Sequence, residues 1–145
     1  MSGIQVPPNC DLTLGVVCVD KSTPGRTTWR MLADERFANP AGVLQGGFVT
    51  ALADAAMGAA TITHLQGRKV YSANVELKMS FVRPAVVGST LTATGEVVAG
   101  GNRVLFCECV IEDGDGRLVA RASSTYVISP RERAATADGP ETEES

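Results

Sequence analysis
The stretch Gly46-Gly47-Phe48-Val49-Thr50-Ala51-Leu52-Ala53-Asp54-Ala55-Ala56-Met57-Gly58-Ala59-Ala60 is apolar, built largely of small residues, and carries one charge, Asp54. A helix of this composition lets a β-sheet close tightly round it. An unpaired ionised carboxylate is costly in such surroundings, because desolvation costs several kcal/mol or shifts the pKa. No Lys or Arg stands within helical reach of Asp54. The pattern predicts a helix from about Gln45-Gly46-Gly47 to His64–Gly67, about five turns long. Gly67 suits its C-terminal cap, and His64 suits the negative end of the helix dipole. On a helical wheel Phe48, Leu52, Ala55, Ala59 and Ile62 form one apolar face, expected to meet a sheet. Gly47, Thr50, Ala51, Asp54, Gly58 and Thr61 form a second face, small and partly polar. Asp54 therefore need not be buried in the core and can face a groove or a partner subunit.

The rest of the chain supplies that sheet. Residues 1–13, with Pro7, Pro8 and Asn9, read as an irregular lead-in. Leu14–Asp20 reads as a short strand or extended segment, and Thr23-Pro24-Gly25 as a turn. Arg26–Ala33 suits a strand, and Asn39-Pro40-Ala41-Gly42 a loop. From Asn74 to Phe81 the residues alternate: Val75, Leu77, Met79 and Phe81 on one face, Asn74, Glu76, Lys78 and Ser80 on the other. Strands follow over 88–99, 103–112 and 117–129, joined by Gly100-Gly101-Asn102 and Asp113-Gly114-Asp115-Gly116. Strands joined by tight turns are antiparallel. The expected architecture is α+β, an antiparallel sheet packed on one long helix. Residues 1–25 are taken as a lead-in, 26–130 as the folded domain and 131–145 as a disordered acidic tail.

Composition removes several classes of function. A chain of 145 residues holds one ordinary domain. A net charge of −3 argues against a nucleic-acid partner, which needs clustered Lys and Arg. No segment reaches the roughly 18–20 apolar residues needed to span a bilayer, and the first residues lack the pattern of a secretory signal. A cytoplasmic location without a membrane partner is expected. Cys10, Cys18, Cys107 and Cys109 show no Cys-x-x-Cys spacing, and His64 has no spaced partners, so no metal and no cofactor is expected. Cys107 and Cys109 share one strand face and read as core residues.

Chemistry concentrates at the helix. Gly46 and Gly47 at its start present free backbone N–H groups at the positive end of the dipole, where an oxyanion is stabilised. Asn39 offers a neutral donor just before them. Gly46 and Asp54 lie about 12 Å apart along one helix, too far to act on the same carbonyl group. Two antiparallel helices from two subunits bring them together. A twofold dimer with two composite sites is expected.

The segment 39–54 resembles the signature of the PaaI-like hotdog-fold acyl-CoA thioesterases, which runs Asn-x-x-Gly, His-Gly-Gly, Leu-x-Asp at this spacing. Residues 75–84 and 115–120 resemble the family's later strand and last hairpin, so the likeness covers roughly 26–129. It implies a hotdog fold and a homodimer, often paired into a homotetramer, hydrolysing an acyl-CoA. By this resemblance the Gly46 N–H polarises the thioester carbonyl, with Asn39 assisting and Gly47 and Gln45 beside it. Asp54 of the neighbouring subunit activates water or attacks directly. Arg83, Asn102 and Arg103 fall where family members contact the CoA nucleotide. Two positions depart from the pattern. Asn74 stands where a Ser or Thr often positions the water. Gln45 stands in place of the histidine and cannot titrate near neutrality; it is expected to shape the loop. Phe48, Leu52 and Met57 are expected in the acyl pocket, which would suit an aromatic or medium-chain group. A non-catalytic hotdog protein that binds acyl-CoA as a sensor or scaffold is the alternative. A hotdog hydratase or dehydratase, which usually pairs a carboxylate with a histidine, is disfavoured because His64 lies about 15 Å along the helix from Asp54.

Overall fold
The alternation over Asn74–Phe81, the strands marked off by turns after it and the small-residue helix resolve into one sheet wrapped on one helix. The computed structural model describes residues 5–131. Its elements are α1 (Asn9–Leu14), β1 (Val17–Thr23), β2 (Arg26–Leu32), α2 (Gly46–His64), β3 (Val70–Phe81), β4 (Thr90–Gly100), β5 (Val104–Glu112) and β6 (Leu118–Pro130), with a 3-10 turn at Glu35–Phe37. The strands form a six-stranded sheet in the order β1-β2-β4-β5-β6-β3, every neighbouring pair antiparallel. The expected α+β architecture is the one observed.

Three local expectations change. The lead-in is not wholly irregular: Pro8 precedes and Gly15, at φ 72°, closes the short helix α1, with the Gly15 N–H on the Asp11 carbonyl. Proline before a helix and glycine after it are its sequence marks. β1 belongs to the sheet, so residues assigned to the lead-in supply an edge strand. β3 begins at Val70, four positions before the alternation becomes regular. The expected acidic tail lies outside the described residues except for Arg131.

The core lies between α2 and the concave sheet face. Leu91, Ala93, Leu105, Ile111 and Val119 are buried there, together with Cys107 and Cys109 as expected. Burial pushes the Cys107 thiol up to about 11 and the Cys109 thiol up to about 12, so both stay protonated and inert at neutral pH. The helix face that meets the sheet is rotated from the expected one. Val49, Leu52, Ala53, Ala56, Met57 and Ala60 are buried, whereas Ile62 is 69% exposed. The reason is closeness. A Cβ on Gly95 of β4 would stand 2.5 Å from the Ala56 carbonyl carbon, so the helix backbone rests almost directly on the strand. Only a face of alanines allows that approach. Thr27 of β2, opposite Gly95, fastens the crossing by donating to the Ala56 carbonyl at 2.7 Å.

The two sheet edges differ. β1 is short, irregular and mostly exposed, with register shifts at Cys18/Asp20 and Asp20/Thr23. Such features discourage edge pairing. β3 runs twelve residues with Tyr71, Val75 and Phe81 half or more exposed.

Candidate active site
Asp54 projects from the exposed side of α2, clear of the core, as the wheel allows. Thr61, placed on the same face from sequence, is instead buried, with its hydroxyl 2.7 Å from Ser72 of β3. The Asp54 carboxylate meets two groups of the neighbouring strands. The Asn74 amide Nδ2 donates to Oδ1 at 3.2 Å, and the Tyr126 hydroxyl lies 3.4 Å from the same oxygen. Among the described residues no hydrogen bond reaches Oδ2.

Strict alternation puts Asn74 on the face opposite Leu77 and Met79. The structure turns it to the helix side. Asn74 pairs with Tyr126 and Glu76 with Thr125, so Val75 is an extra residue, a β-bulge. It reverses the parity of the strand, and Asn74 joins Ser72, Leu77 and Met79 in facing α2. Bulges recur beside active sites because they re-aim one side chain without ending the strand. Tyr126 and Ser124, which sequence reasoning missed, follow from the same register. Ser124 is 2% exposed, and its Oγ lies 2.9 Å from Asn74 Oδ1 and 2.6 Å from the Glu76 carbonyl. Burial, and then the Asp54 charge, hold the Tyr126 phenol well above its usual pKa. Tyr126 is therefore a neutral O–H donor at every working pH.

The start of α2 is built by the loop before it. Asn39 Oδ1 accepts the Ala41 N–H at 2.9 Å and the Val43 N–H at 3.4 Å, an Asx turn that tightens residues 39–43. This fixes the amide and leaves its Nδ2 facing away from the turn. Gln45 enters the helix through its backbone: its N–H donates to the Phe37 carbonyl and its own carbonyl accepts the Phe48 N–H. The Gln45 side chain is exposed and makes no capping bond. The loop thus keeps its shape without a histidine there. Gly46 and Gly47 follow, their N–H groups among those a helix start leaves without intrahelical acceptors. A Cβ on Gly46 would stand 2.9 Å from the ring of Phe81, so glycine is what fits beneath that ring. Beside it an open groove of about 360 Å³ is lined by Val43, Val49, Phe81 and Pro84, among others. Leu52 and Met57, expected in a pocket wall, are fully buried in the core instead.

The remaining sequence-selected residues stand apart. Arg83 follows β3 and donates from Nη1 to the Leu118 carbonyl at 2.8 Å. Asn102 and Arg103 form the exposed β4–β5 turn, where the Arg103 carbonyl accepts the Ile128 N–H. Phe81 pairs with Ala120 at the start of β6, whereas Val104 pairs with Val127 near its end. Arg83 and Arg103 therefore lie at opposite ends of one protomer's sheet. Among the described residues no group of His, Cys, Asp and Glu is arranged to hold a metal ion, and no helix is long and apolar enough to cross a membrane.

A six-stranded antiparallel sheet curled round one central helix is the hotdog arrangement. The chain belongs to the thioesterase superfamily, whose family model matches residues 41–120. Human acyl-coenzyme A thioesterase 13 is 25% identical over 118 residues, 81% of this chain and 83% of that one. The PaaI protein of the E. coli phenylacetic acid degradation operon superposes with a TM-score of 0.76 at 23% identity, over 81% of this chain and 82% of that one. AziG of S. sahachiroi does so with a TM-score of 0.76 at 26% identity, over 82% and 94%.

Proposed function
We propose that this protein is an acyl-CoA thioesterase whose sites are shared between the two subunits of a homodimer. The observation that carries the reading is the division of labour on α2: an oriented carboxylate at Asp54 and free N–H donors at Gly46, held about 12 Å apart. Within one protomer they are two unfinished halves. β3 offers the means of joining them. Gly46 lies against Phe81 at one end of the strand, and Asp54 lies against Asn74 nearer the other. Antiparallel pairing of two β3 edges about a point near Leu77 sets the Gly46 of each protomer opposite the Asp54 of the other. The same rotation brings one protomer's Arg83 to the end that carries the other's Asn102 and Arg103. β3 is a long edge strand that leaves Tyr71, Val75 and Phe81 exposed, which suits such a pair.

In this arrangement the Gly46 N–H, assisted by the Asn39 amide, holds the thioester carbonyl oxygen and the negative charge that develops on it. The Asp54 carboxylate takes a proton from water as the water oxygen bonds to the carbonyl carbon, or attacks that carbon itself. In the first case the carbon–sulfur bond then breaks, and the CoA thiolate leaves and takes up that proton. In the second the thiolate leaves a mixed anhydride on Asp54, which water hydrolyses to the free acid and the regenerated carboxylate, the thiolate taking up the proton the water releases. Gly47 and Gln45 flank the carbonyl, while Arg83, Asn102 and Arg103 supply donors for the CoA phosphates. The groove beside Phe81 suits an aromatic or medium-chain acyl group. The relationship to acyl-coenzyme A thioesterase 13 supports the same chemistry.

A thiol-release assay over aromatic and straight-chain acyl-CoAs tests the proposal. Turnover is expected, with the highest kcat/KM among aromatic or medium-chain members. Binding of acyl-CoA without turnover of any of them favours a sensor or scaffold instead.

A further inference from the structure
Two donors converge on one oxygen of Asp54 and leave the other alone. Asn74 Nδ2 and the Tyr126 hydroxyl both approach Oδ1, at 3.2 and 3.4 Å. These distances are long for hydrogen bonds, as is common before substrate binds. The Asn74 amide is not free to turn over. The buried Ser124 hydroxyl shares its one proton between the Glu76 carbonyl at 2.6 Å and Asn74 Oδ1 at 2.9 Å, and a flipped amide would set an oxygen against the carboxylate. The Val75 bulge holds Asn74 on this face, and the same register places Tyr126 directly opposite it. Three residues from two strands thus serve one atom.

We propose that Asn74, oriented by Ser124, and Tyr126 form a clamp on Asp54 Oδ1 that leaves Oδ2 as the oxygen that meets water or the thioester carbon. Asn74 here takes the carboxylate rather than the water as its partner. Tyr126 and Ser124 are positioning residues that act through Asp54 and Asn74. A carboxylate fixed by one oxygen keeps one rotamer, and the approach of its second oxygen to the carbonyl is set before substrate arrives. The inference rests on the thioesterase reading of the site.

Steady-state kinetics and carboxyl 13C NMR test it together. Asn74→Ala lowers kcat about tenfold and changes KM less than about twofold. Tyr126→Phe, which keeps the ring, lowers kcat several-fold in the same manner. Ser124→Ala lowers kcat in the wild-type background and has no further effect on top of Asn74→Ala, because it works through that amide. A purely structural role for Ser124 would cost the same factor in both backgrounds, and that result overturns the clamp. So does an unchanged kcat in Tyr126→Phe. The Asp54 carboxyl 13C resonance reports without turnover: all three substitutions move it and leave that of Asp34 in place. An unmoved Asp54 resonance overturns the clamp by itself. Failure of the wild type to hydrolyse any acyl-CoA, with that resonance moved as described, overturns the thioesterase reading and leaves the clamp standing.

Discussion

Asp54→Asn lowers kcat for acyl-CoA hydrolysis by roughly a thousandfold, within the range for loss of a general base or carboxylate nucleophile. Fold and binding survive. Asp54 is exposed on α2, so no core contact is lost. The new amide has nearly the same shape, and its oxygen still accepts from Asn74. What disappears is the capacity to take a proton or to attack the carbonyl. KM and the melting temperature therefore stay near wild type while kcat falls. Parallel measurement of kcat, KM and thermal melting checks this. Undiminished turnover in Asp54→Asn would remove the carboxylate from the mechanism while leaving the hotdog fold untouched.

Gly95→Ala has the largest effect on stability. The added Cβ would lie 2.5 Å from the Ala56 carbonyl carbon, 2.6 Å from its oxygen and 2.7 Å from the Met57 nitrogen. All three are backbone atoms, so no rotamer change relieves the clash. The helix must lift from β4, loosening the contacts of Ala53, Ala56 and Met57 and the Thr27 hydrogen bond. Overpacking costs about 1–3 kcal/mol where side chains can adjust, and here they cannot. A loss of about 3 kcal/mol or more is expected, lowering the melting temperature by roughly 10 °C. Gly46→Ala provides the contrast. The atoms nearest its new methyl are those at the end of the Phe81 side chain, at 2.9 Å, and Phe81 is 57% exposed and able to swing away. Chemical denaturation of both variants should separate them clearly, with Gly95→Ala far the less stable.

Regular patterns carried most of the fold. Alternation in β3, the turn glycines, and the composition of α2 were legible because each reflects a local rule: period two, positive φ, or small side chains under a sheet. The rotation of α2 was not legible. A wheel ranks side chains by bulk, and here the smallest ones define the contact, because Gly95 and Ala56 bring two backbones together. The short helix α1 was marked by Pro8 and Gly15 but lacks buried residues to give it periodicity.

At the site, Asp54 stood out as the sole charge in an apolar run, and Gly46 and Gly47 as a glycine pair at a helix start. Tyr126 and Ser124 gave no such sign, because both read as ordinary strand residues. Their part depends on a one-residue bulge at Val75, which alternation conceals and only the pairing of β3 with β6 reveals. Gln45 stands where the resemblance implies a histidine, and the helix entry there is held by backbone bonds to Phe37 and Phe48.

Each proposed site takes Asp54 from one protomer and Gly46 from the other. Gly46→Pro removes the N–H at the first helical position, where proline is tolerated, and the extended Gln45 before it, at φ −63° and ψ 138°, is compatible with a following proline. Its Cβ, as in Gly46→Ala, displaces the exposed Phe81 ring, so Gly46→Ala serves as the control for that displacement. Asp54→Asn and Gly46→Pro chains carrying different affinity tags are co-expressed, and the mixed dimers are isolated through both tags. Each parent homodimer should be nearly inactive. A mixed dimer joins the intact Asp54 of one chain to the intact Gly46 of the other in one of its two sites, and should recover about half of wild-type turnover. Mixed dimers as inactive as both parents would place Asp54 and Gly46 in the same protomer's site and rule out the shared one.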